Sequence, residues 1–330
     1  MSDAKPTELN EQFFALTPDA VLDSVEAAMA EAKPGIRATG RAMALNSLEN
    51  RVYDIEFEDE TSVVTKFYRP ERWTREQILE EHGFLQKLEE AEIPVVAPLF
   101  LANGSTLSTT DSGISFAVFP KVTGRIVDEL SETQLQTLGR YVARIHSVGK
   151  NFPVKHRIAL NAENYAYKSL DFLLQNQWID LTYESTYRKL VEAIGKKTEP
   201  LLKNAQSFLV HGDCHLGNTL WQGESPFFLD FDDAVIAPPV QDIWMIVTGR
   251  DETNLRNRDI LLEAYEVHLP FPRNTLRLIE GLRALRMIHY SAWIARRWKD
   301  PSFPRVFPDF ISSRYWAEEI TALEEILRLL

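Results

Sequence analysis

The amino-acid sequence predicts an α+β fold with two lobes: an antiparallel β-sheet in the N-terminal lobe and mainly helices in the C-terminal lobe. The chain has 330 residues, a length that suits two domains. Strand patterns dominate residues 38–67, and helical patterns dominate the chain beyond residue 131. We therefore expect an N-terminal lobe with a leading helix over residues 1–120 and a C-terminal lobe over residues 121–330.

The composition argues against several classes of partner. Hydrophobic residues make up 45% of the chain and charged residues 25%, which is ordinary for a globular protein. The net charge of -12 argues against nucleic-acid binding. No apolar run reaches about 18 residues, so no membrane partner is expected. The N-terminal tract has no apolar signal core, and the single cysteine fits a reducing compartment. We expect a cytoplasmic monomer.

The elements of the first lobe carry recognisable start and stop signals. Thr17-Pro18-Asp19 supplies a capping hydroxyl and a proline at the first helical position, and Thr74-Arg-Glu-Gln77 is a capping box. The predicted elements are a helix from Pro18 that stops before Pro34-Gly35, strands at 52–57 and 61–68, a helix from Arg75, and strands at 94–98 and 114–119.

One lysine interrupts an otherwise apolar strand. Lys66 follows Val63-Val64, so its side chain either lies on the solvent face or meets an anion. Glu81 borders the apolar face of the next helix, and a strand lysine followed about fifteen residues later by a helix glutamate is the ion pair that orients ATP phosphates in kinases. Glu80 is the competing partner. We favour Glu81 because residues 81–88 fit the pattern E-x-x-x-L-x-x-L.

The sheet pattern is broken after Phe119. The segment from Phe119 to Gly124 predicts a hinge whose exposed backbone groups bind adenine, which makes Phe119 and Val122 candidate nucleotide-contacting residues. The alternative is a plain interdomain loop. Helices follow, starting with the capping box Ser131-Glu-Thr-Gln134, and four arginines of the C-terminal helices form a basic stripe that either docks a partner or is a salt-bridged helix face. The stripe comprises Arg283, Arg286, Arg296 and Arg297.

The most informative stretch is residues 209–233, where polar residues stand at the ends of short strands. His211, Asp213 and Asn218 give the spacing H-x-D-x-x-x-x-N, and Asp230 ends the next hairpin. A hydroxyl nucleophile needs a carboxylate to accept its proton, a role open to Asp213. Magnesium prefers oxygen ligands, which Asn218 and Asp230 can supply. This arrangement predicts phosphoryl transfer.

Two other interpretations of the same stretch remain open. Asp and Asn are common in turns because they bond their own backbone. His211, Cys214 and His215 could hold zinc, although a zinc site usually has a second ligand pair elsewhere and Cys214 is the only cysteine. We favour a packing role in the turn for Cys214, and the acidic groups of Asp213 and Asp230 should disfavour its thiolate and make it a poor redox sensor.

With these signatures in order, the chain resembles the aminoglycoside phosphotransferase and choline kinase group of the protein-kinase-like fold. The resemblance spans roughly residues 17–310. Two more particular tracts, Pro70-Glu-Arg-Trp73 and Arg296-Arg-Trp298, are similar to a branch of bacterial stress-response Ser/Thr protein kinases within that group. The resemblance implies that residues 1–120 form the nucleotide-binding lobe and residues 121–330 the catalytic and substrate lobe.

The resemblance also implies roles for individual residues. Asp213 would be the catalytic base, Asn218 and Asp230 the Mg²⁺ ligands, and Asp242 a brace for the catalytic loop. The ATP-binding residues would be Ser47 in the phosphate-covering loop, Lys66 on the phosphates, Glu81 as its orienting partner, and Phe119 and Val122.

Two departures from ordinary protein kinases stand out. The loop around Ser47 contains no glycine, so side chains such as those of Asn46 and Ser47 would replace backbone amides as phosphate donors. Asp230-Phe-Asp232 replaces D-F-G, and only nine residues separate Asp232 from Asp242. That segment is too short for a phosphorylatable activation loop.

The sequence therefore predicts an ATP-dependent, Mg²⁺-requiring kinase whose partner is a protein substrate carrying Ser or Thr. One rival is a small-molecule kinase of the choline, homoserine or aminoglycoside type, because the catalytic residues do not separate these substrates. The other rival is a nucleotide-binding scaffold without turnover. Its mark would be the loss of Lys66, Asp213 or Asp230, and all three are present.

Overall fold

The computed structural model describes residues 6–30 and 34–330. Residues 1–5 and 31–33, which belong to the predicted N-terminal lobe, lie outside the described residues. The chain folds into two compact units. The first unit comprises Met1–Glu129, Phe152–His156 and Leu216–Asp232, and the second comprises Leu130–Asn151, Arg157–His215 and Asp233–Leu330.

The first unit is built on a five-stranded antiparallel sheet with the strand order β1-β2-β3-β5-β4. Its strands are β1 (Ala38–Ala44), β2 (Arg51–Phe57), β3 (Ser62–Phe67), β4 (Ser108–Thr109) and β5 (Ser115–Pro120). Its helices are α1 (Pro6–Phe14), α2 (Pro18–Met29) and α3 (Arg75–Glu90). The hairpin β7 (Thr219–Gln222) and β8 (Ser225–Phe228) completes it.

The two predicted helix starts in this unit are confirmed. The Thr17 side chain accepts a hydrogen bond from the Ala20 amide, and Pro18 occupies the first turn of α2. Thr74 and Gln77 form the reciprocal capping box of α3, with bonds of 3.3 and 2.9 Å. Val21 and Val25 of α2 are fully buried with the apolar face of the sheet.

The strand predicted at residues 94–98 is wrong. Only Val95 makes a β-bridge, to Phe228, and the Pro94 carbonyl accepts from the Phe228 amide at 2.8 Å. Pro94 and Pro98 have no N–H group and interrupt any longer ladder. The strand predicted at 114–119 is confirmed as β5.

The second unit is mainly helical, as the sequence predicts. Its helices are α4 (Glu132–Asn151), α5 (Lys168–Gln175), α6 (Leu181–Lys203), α7 (Val240–Ile246), α8 (Glu252–Glu266), α9 (Ile279–Arg296), α10 (Ser302–Val306) and α11 (Ser313–Leu329). A small two-stranded sheet pairs β6 (Phe208–Val210) with β9 (Val235–Ala237). Within the described ranges, no helix is both long and apolar enough to cross a membrane.

The packing of the second unit follows its sequence periodicity. Ser131 and Gln134 form the predicted capping box at the start of α4. Leu282, Leu285 and Ile288 on α9 are buried, as expected for its apolar stripe. The turn that follows β6 packs against the core of this unit. The motif at residues 209–233 includes this turn.

Candidate active site

A lysine in the first unit lies against two carboxylates. The Nζ of Lys66 on β3 is 3.0 Å from Oδ1 of Asp230 and 2.8 Å from Oδ1 of Asp232. The Asp230 side chain is 52% exposed and that of Asp232 only 7%. Asp230 can therefore still take a ligand from solvent, whereas Asp232 is committed to the protein.

The backbone around the pair holds both aspartates in place. Asp230 has a φ of +57°, a left-handed conformation that is uncommon outside glycine. Phe231 is buried and packs edge-on against Phe84 of α3, with ring centroids 5.9 Å apart. Asp232 also accepts a hydrogen bond from the side chain of Asn50. The buried side chain of Phe231, which lies between the two aspartates in the sequence, thus helps to direct both carboxylates towards Lys66.

Electrostatics keep Lys66 charged. Burial alone would lower the pKa of Lys66, but the carboxylates of Asp230, Asp232 and Glu81 raise it well above its ordinary value. Glu81 is buried in α3. Glu80 instead accepts hydrogen bonds from the backbone amides of Lys155 and His156, at 2.6 and 2.8 Å. Of the two glutamates, Glu81 is therefore the one whose charge acts on Lys66.

The hairpin brings the two predicted metal ligands to the same end. Asn218 directly precedes β7, Asp230 follows β8, and Thr219 pairs with Phe228 in the antiparallel register. The Leu229 amide donates to the Asn218 carbonyl at 2.9 Å, which closes this end of the hairpin. Both residues offer oxygen atoms, the donor type that Mg²⁺ prefers.

The glycine-free loop between β1 and β2 is held by side chains. The Asn50 amide donates to Oγ of Ser47 at 3.4 Å. Arg69, which is buried, donates from Nε to the Glu49 carbonyl and from Nη2 to the Leu48 carbonyl, both at 2.9 Å. Ser47 is half-buried and Asn46 exposed. Arg69, which the sequence analysis did not single out, thus fixes the loop that carries Ser47.

Phe119 and Val122, the two residues proposed from the sequence to contact the nucleotide, differ in environment. Phe119 is buried in β5, with its ring centroid 5.7 Å from Nζ of Lys66. Val122 follows the end of that strand and is half-buried. Between them, Lys121 forms an ion pair with Asp54 at 2.6 Å. The predicted break after Phe119 thus corresponds to the chain leaving the sheet at Pro120.

In the second unit, a buried aspartate organises the turn that carries Asp213. Asp242 of α7 accepts hydrogen bonds from the amides of His211 and Gly212, at 3.0 and 2.8 Å. Its Oδ2 is also 2.9 Å from Nε2 of His146. Gly212 has a φ of +84°, and a Cβ there would lie 2.1 Å from the carbonyl oxygen of Asp233. Only glycine fits this position.

Asp213 itself faces a cation that the sequence analysis did not assign to it. Nη1 of Arg286 on α9 lies 2.7 Å from Oδ1 of Asp213, and Nε2 of His215 lies 3.5 Å from Oδ2. Burial alone would raise the pKa of Asp213, but the hydrogen bond from His215 and the charge of Arg286 lower it well below its ordinary value. Asp213 is therefore ionised throughout the neutral range, and the same contacts that lower its pKa also weaken it as a proton acceptor.

The thiol beside Asp213 is buried, and its thiolate form is disfavoured. Cys214 is 1% exposed, and burial together with the charges of Asp242 and Asp213 raises its pKa well above the ordinary value. His211 is also fully buried, and its Nδ1 lies 3.4 Å from the Asp213 amide. Residues 6–30 and 34–330 contain no group of three or more His, Cys, Asp or Glu side chains placed to hold a metal ion.

The predicted site residues are distributed over both units. Ser47, Lys66, Glu81, Phe119, Val122, Asn218 and Asp230 belong to the first unit, and Asp213 belongs to the second. Sequence reasoning missed the pairing of Asp232 with Lys66 and that of Arg286 with Asp213. The replacement of D-F-G by D-F-D and the arginines of the basic stripe were the available signals.

Comparison with known proteins confirms the inferred resemblance. The phosphotransferase enzyme family (APH) matches residues 42–285. Stress response kinase A of Escherichia coli strain K12 is 37% identical over 319 residues, which cover 96% of this chain and 94% of the relative. The serine/threonine protein kinase RdoA of Salmonella typhimurium strain LT2 is 35% identical over the same proportions of the two chains.

Solved structures confirm the fold. An amicoumacin kinase in complex with AMP-PNP, Ca²⁺ and Ami superposes with a TM-score of 0.72 at 19% identity, covering 94% of this chain and 93% of that one. A microcompartment-associated aminopropanol kinase gives a TM-score of 0.62 at 17% identity, covering 88% of this chain and 90% of that one. Together with the sequence relatives, these findings show that the chain is a phosphotransferase and belongs to the phosphotransferase enzyme family.

Proposed function

We propose that this protein is an ATP-dependent, Mg²⁺-requiring kinase that transfers the γ-phosphoryl group to Ser or Thr of a protein substrate. Curated relatives that are 35–37% identical over almost the whole chain are named as a stress response kinase and a Ser/Thr kinase. Their names favour a protein substrate and a role in a stress response. We further propose that the enzyme acts as a monomer in the cytoplasm.

The observation that carries this proposal is the contact of Lys66 with Asp230 and Asp232. A lysine held between carboxylates in a protein of this family matches a site for phosphate and metal. The cation suits phosphate oxygens, and the exposed carboxylate of Asp230 suits a divalent metal. In the proposed complex, Lys66 binds phosphate oxygens, Glu81 keeps it oriented, and Asp232 anchors it through the hairpin.

The donor set at the end of the hairpin fits Mg²⁺. Asp230 offers an exposed anionic oxygen and Asn218 a neutral one, both at the same hairpin end. Mg²⁺ usually takes one or two protein carboxylates plus phosphate oxygens and water, so a full protein cage is not needed. When bound, the ion would neutralise negative charge on the phosphate oxygens. The half-buried Ser47 would donate to those oxygens, and Phe119 and Val122 would contact the base.

Asp213 is proposed as the general base. The carboxylate is ionised at neutral pH, as a general base must be, although the contacts that lower its pKa also weaken it as an acceptor of the hydroxyl proton. Arg286 and His215 orient the two carboxylate oxygens. Asp242 positions the turn through two backbone amides and touches no reacting atom, which makes it a positioning residue.

A second candidate is a kinase for a small metabolite. The solved structures that share this fold include kinases named for amicoumacin and aminopropanol, both small molecules. Their low identity carries the fold to this chain but not the substrate. The two candidates use the same catalytic groups and differ in the acceptor.

Incubation of the purified protein with γ-labelled ATP and Mg²⁺ tests both candidates. One arm contains a generic basic protein rich in Ser and Thr, and the other contains a panel of amino alcohols, sugars and aminoglycosides. Label on Ser or Thr of the protein supports the proposal, and label only on a metabolite supports the second candidate. If the protein binds nucleotide but transfers label in neither arm, the result would favour a nucleotide-binding scaffold without turnover.

A further inference from the structure

A pocket in the second unit combines a cationic wall with an apolar floor. Its volume is about 470 Å³, within the range of roughly 300–1,000 Å³ that is usual for small-molecule sites. Residues of α6, α8, α9 and α11 and of the 3₁₀ turn Arg273–Leu278 line it. The cationic residues are Lys197, Arg250, Arg258, Arg277 and Arg283.

The cationic residues of the pocket wall outnumber the acidic groups that line the pocket. Two anionic groups line the pocket, the side chain of Glu280 and the terminal carboxylate of Leu330, and Glu280 pairs with Arg250 at 2.9 and 2.5 Å and with Arg283 at 3.4 Å. In the described part of the chain, no carboxylate forms an ion pair with Lys197, Arg258 or Arg277. In a chain with a net charge of -12, such an excess of cations marks a place where an anion would be stabilised.

Part of the wall is held in place before any ligand arrives. Nη2 of Arg283 donates to the Thr248 carbonyl at 2.7 Å, and its guanidinium lies 5.2 Å from the Trp244 ring centroid. Burial lowers the pKa of Arg283, and the charges of Arg250 and Arg258 act in the same direction against that of Glu280. The guanidinium groups therefore repel one another, and a bound anion would relieve that repulsion.

The floor gives the pocket a second chemical character. Leu255 is 41% exposed at the rim, and Leu276 and Ile279 lie alongside it. Exposed leucine beside unneutralised arginine suits a ligand that has both a charged and an apolar end. None of the lining residues belongs to the proposed catalytic groups.

We propose that this pocket binds a small organic anion with a phosphate or carboxylate head group and a short apolar tail. Arg258 and Arg277 bind the head group, since planar guanidinium groups match both anions through paired hydrogen bonds. The tail covers Leu255 and Leu276. This site is independent of the proposed kinase reaction, so its test requires no turnover.

Binding of n-hexyl phosphate, hexanoate, inorganic phosphate and n-hexanol, measured by calorimetry, tests the proposal. We expect one of the two tailed anions to bind at least about tenfold more tightly than inorganic phosphate, because burial of the tail adds affinity. Uncharged n-hexanol should bind far more weakly. Absence of saturable binding by both tailed anions overturns the proposal.

Variants locate the site. Arg258→Gln with Arg277→Gln should weaken binding of the tailed anion about tenfold or more, because two charge-assisted contacts are lost. Arg140→Gln with Arg256→Gln removes the same charge from exposed positions outside the pocket and should leave the affinity unchanged. Leu255→Gln should weaken the tailed anion but not inorganic phosphate. Circular dichroism verifies that each variant is folded.

Three outcomes contradict the assignment. The pocket double variant could bind as tightly as the unmodified protein, which would place the anion elsewhere. The matched control could lose as much affinity, which would reduce the effect to net charge. A peptide of alternating Glu and Leu could bind in the pocket while both tailed anions do not, which would make it a docking site for a protein segment.

Discussion

At the scale of single residues, three ion pairs carry the proposed chemistry. Lys66 contacts Asp230 and Asp232, and Asp213 contacts Arg286. In each case a buried or partly buried charge is balanced by an opposite one, which raises the pKa of Lys66 and lowers that of Asp213. These charge states are the ones that phosphate binding and proton acceptance require.

The two predicted metal ligands should contribute unequally to Mg²⁺-dependent ATP binding. Asp230→Ala removes an anionic oxygen and Asn218→Ala a neutral one, so we expect Asp230→Ala to weaken Mg²⁺-dependent ATP binding more. Titration of nucleotide with and without Mg²⁺ measures this. Asp111→Ala, at an exposed position of the same unit, is the control. Equal and metal-independent affinities for all the proteins would remove both residues from the metal site.

Cys214 should react slowly. Its raised pKa and its burial keep the thiolate scarce, so iodoacetamide should modify it far more slowly in the folded protein than in urea. The rate should still rise above about pH 10, where the labelling of an ordinary thiol has levelled off. Cys214→Ser controls for other sites of modification. Rapid labelling with a plateau at about pH 10 would show an accessible, unperturbed thiol.

At the scale of elements, sequence patterns identified what local signals encode. The caps at Thr17 and Thr74 and the strand around Lys66 were predictable because each signal lies within a few residues. The pair Lys66–Asp232 joins residues far apart in the sequence, and its existence depends on how the hairpin packs. α1 was missed because Pro6–Phe14 is short and contains only three large apolar residues, Leu9, Phe13 and Phe14. The strand prediction at 94–98 was wrong because its two prolines lack the N–H groups that a β-ladder requires, even though its valines favour a strand.

The contact between α9 and α11 contains a pH-sensitive group. Burial raises the pKa of Glu319 from 4.5 to about 7, although the hydrogen bond from Ser291, at 3.2 Å, lowers it. The folded state therefore holds this proton more tightly than the unfolded state. Stability from this group is complete below pH 4.5 and is lost as the pH rises towards 7, by an amount on the order of 3 kcal/mol.

Glu319→Gln removes this dependence. We expect the free energy of unfolding of the variant, relative to the unmodified protein, to increase between pH 5.5 and pH 8, because glutamine has no proton to lose. Urea denaturation at several pH values measures the difference. Glu318→Gln, whose side chain is 65% exposed, should show a flat difference. A flat difference for Glu319→Gln as well would place its folded pKa near the ordinary value.

The segment between Asp232 and Asp242 should not be a phosphorylation switch. Its nine residues contain no Ser, Thr or Tyr, and Val235–Ala237 is paired with β6. Phosphatase treatment should therefore leave kinase activity unchanged, unlike in enzymes with an ordered, phosphorylated activation loop. Loss of activity on treatment would require a regulatory phosphate elsewhere in the chain.

At the scale of the whole molecule, the chain divides its proposed tasks between two units. The residues proposed to bind phosphate and metal lie on the sheet and hairpin of the first unit, and the proposed base lies on a turn of the second. Asp213 could be proposed as the base from its spacing to His211 and Asn218. Arg286 was visible only as part of a basic stripe, because its partner lies 73 residues away and packing alone joins them.

The comparison of Asp213→Asn with the unmodified protein tests the central claim most directly. Nucleotide affinity and phosphoryl transfer are measured on the same preparations, with Asp171→Asn, at an exposed position of α5, as the matched control. We predict unchanged nucleotide affinity and a loss of about 10²–10⁴-fold in turnover, since asparagine cannot accept the proton. Transfer at the unmodified rate by Asp213→Asn would show that Asp213 is not the base.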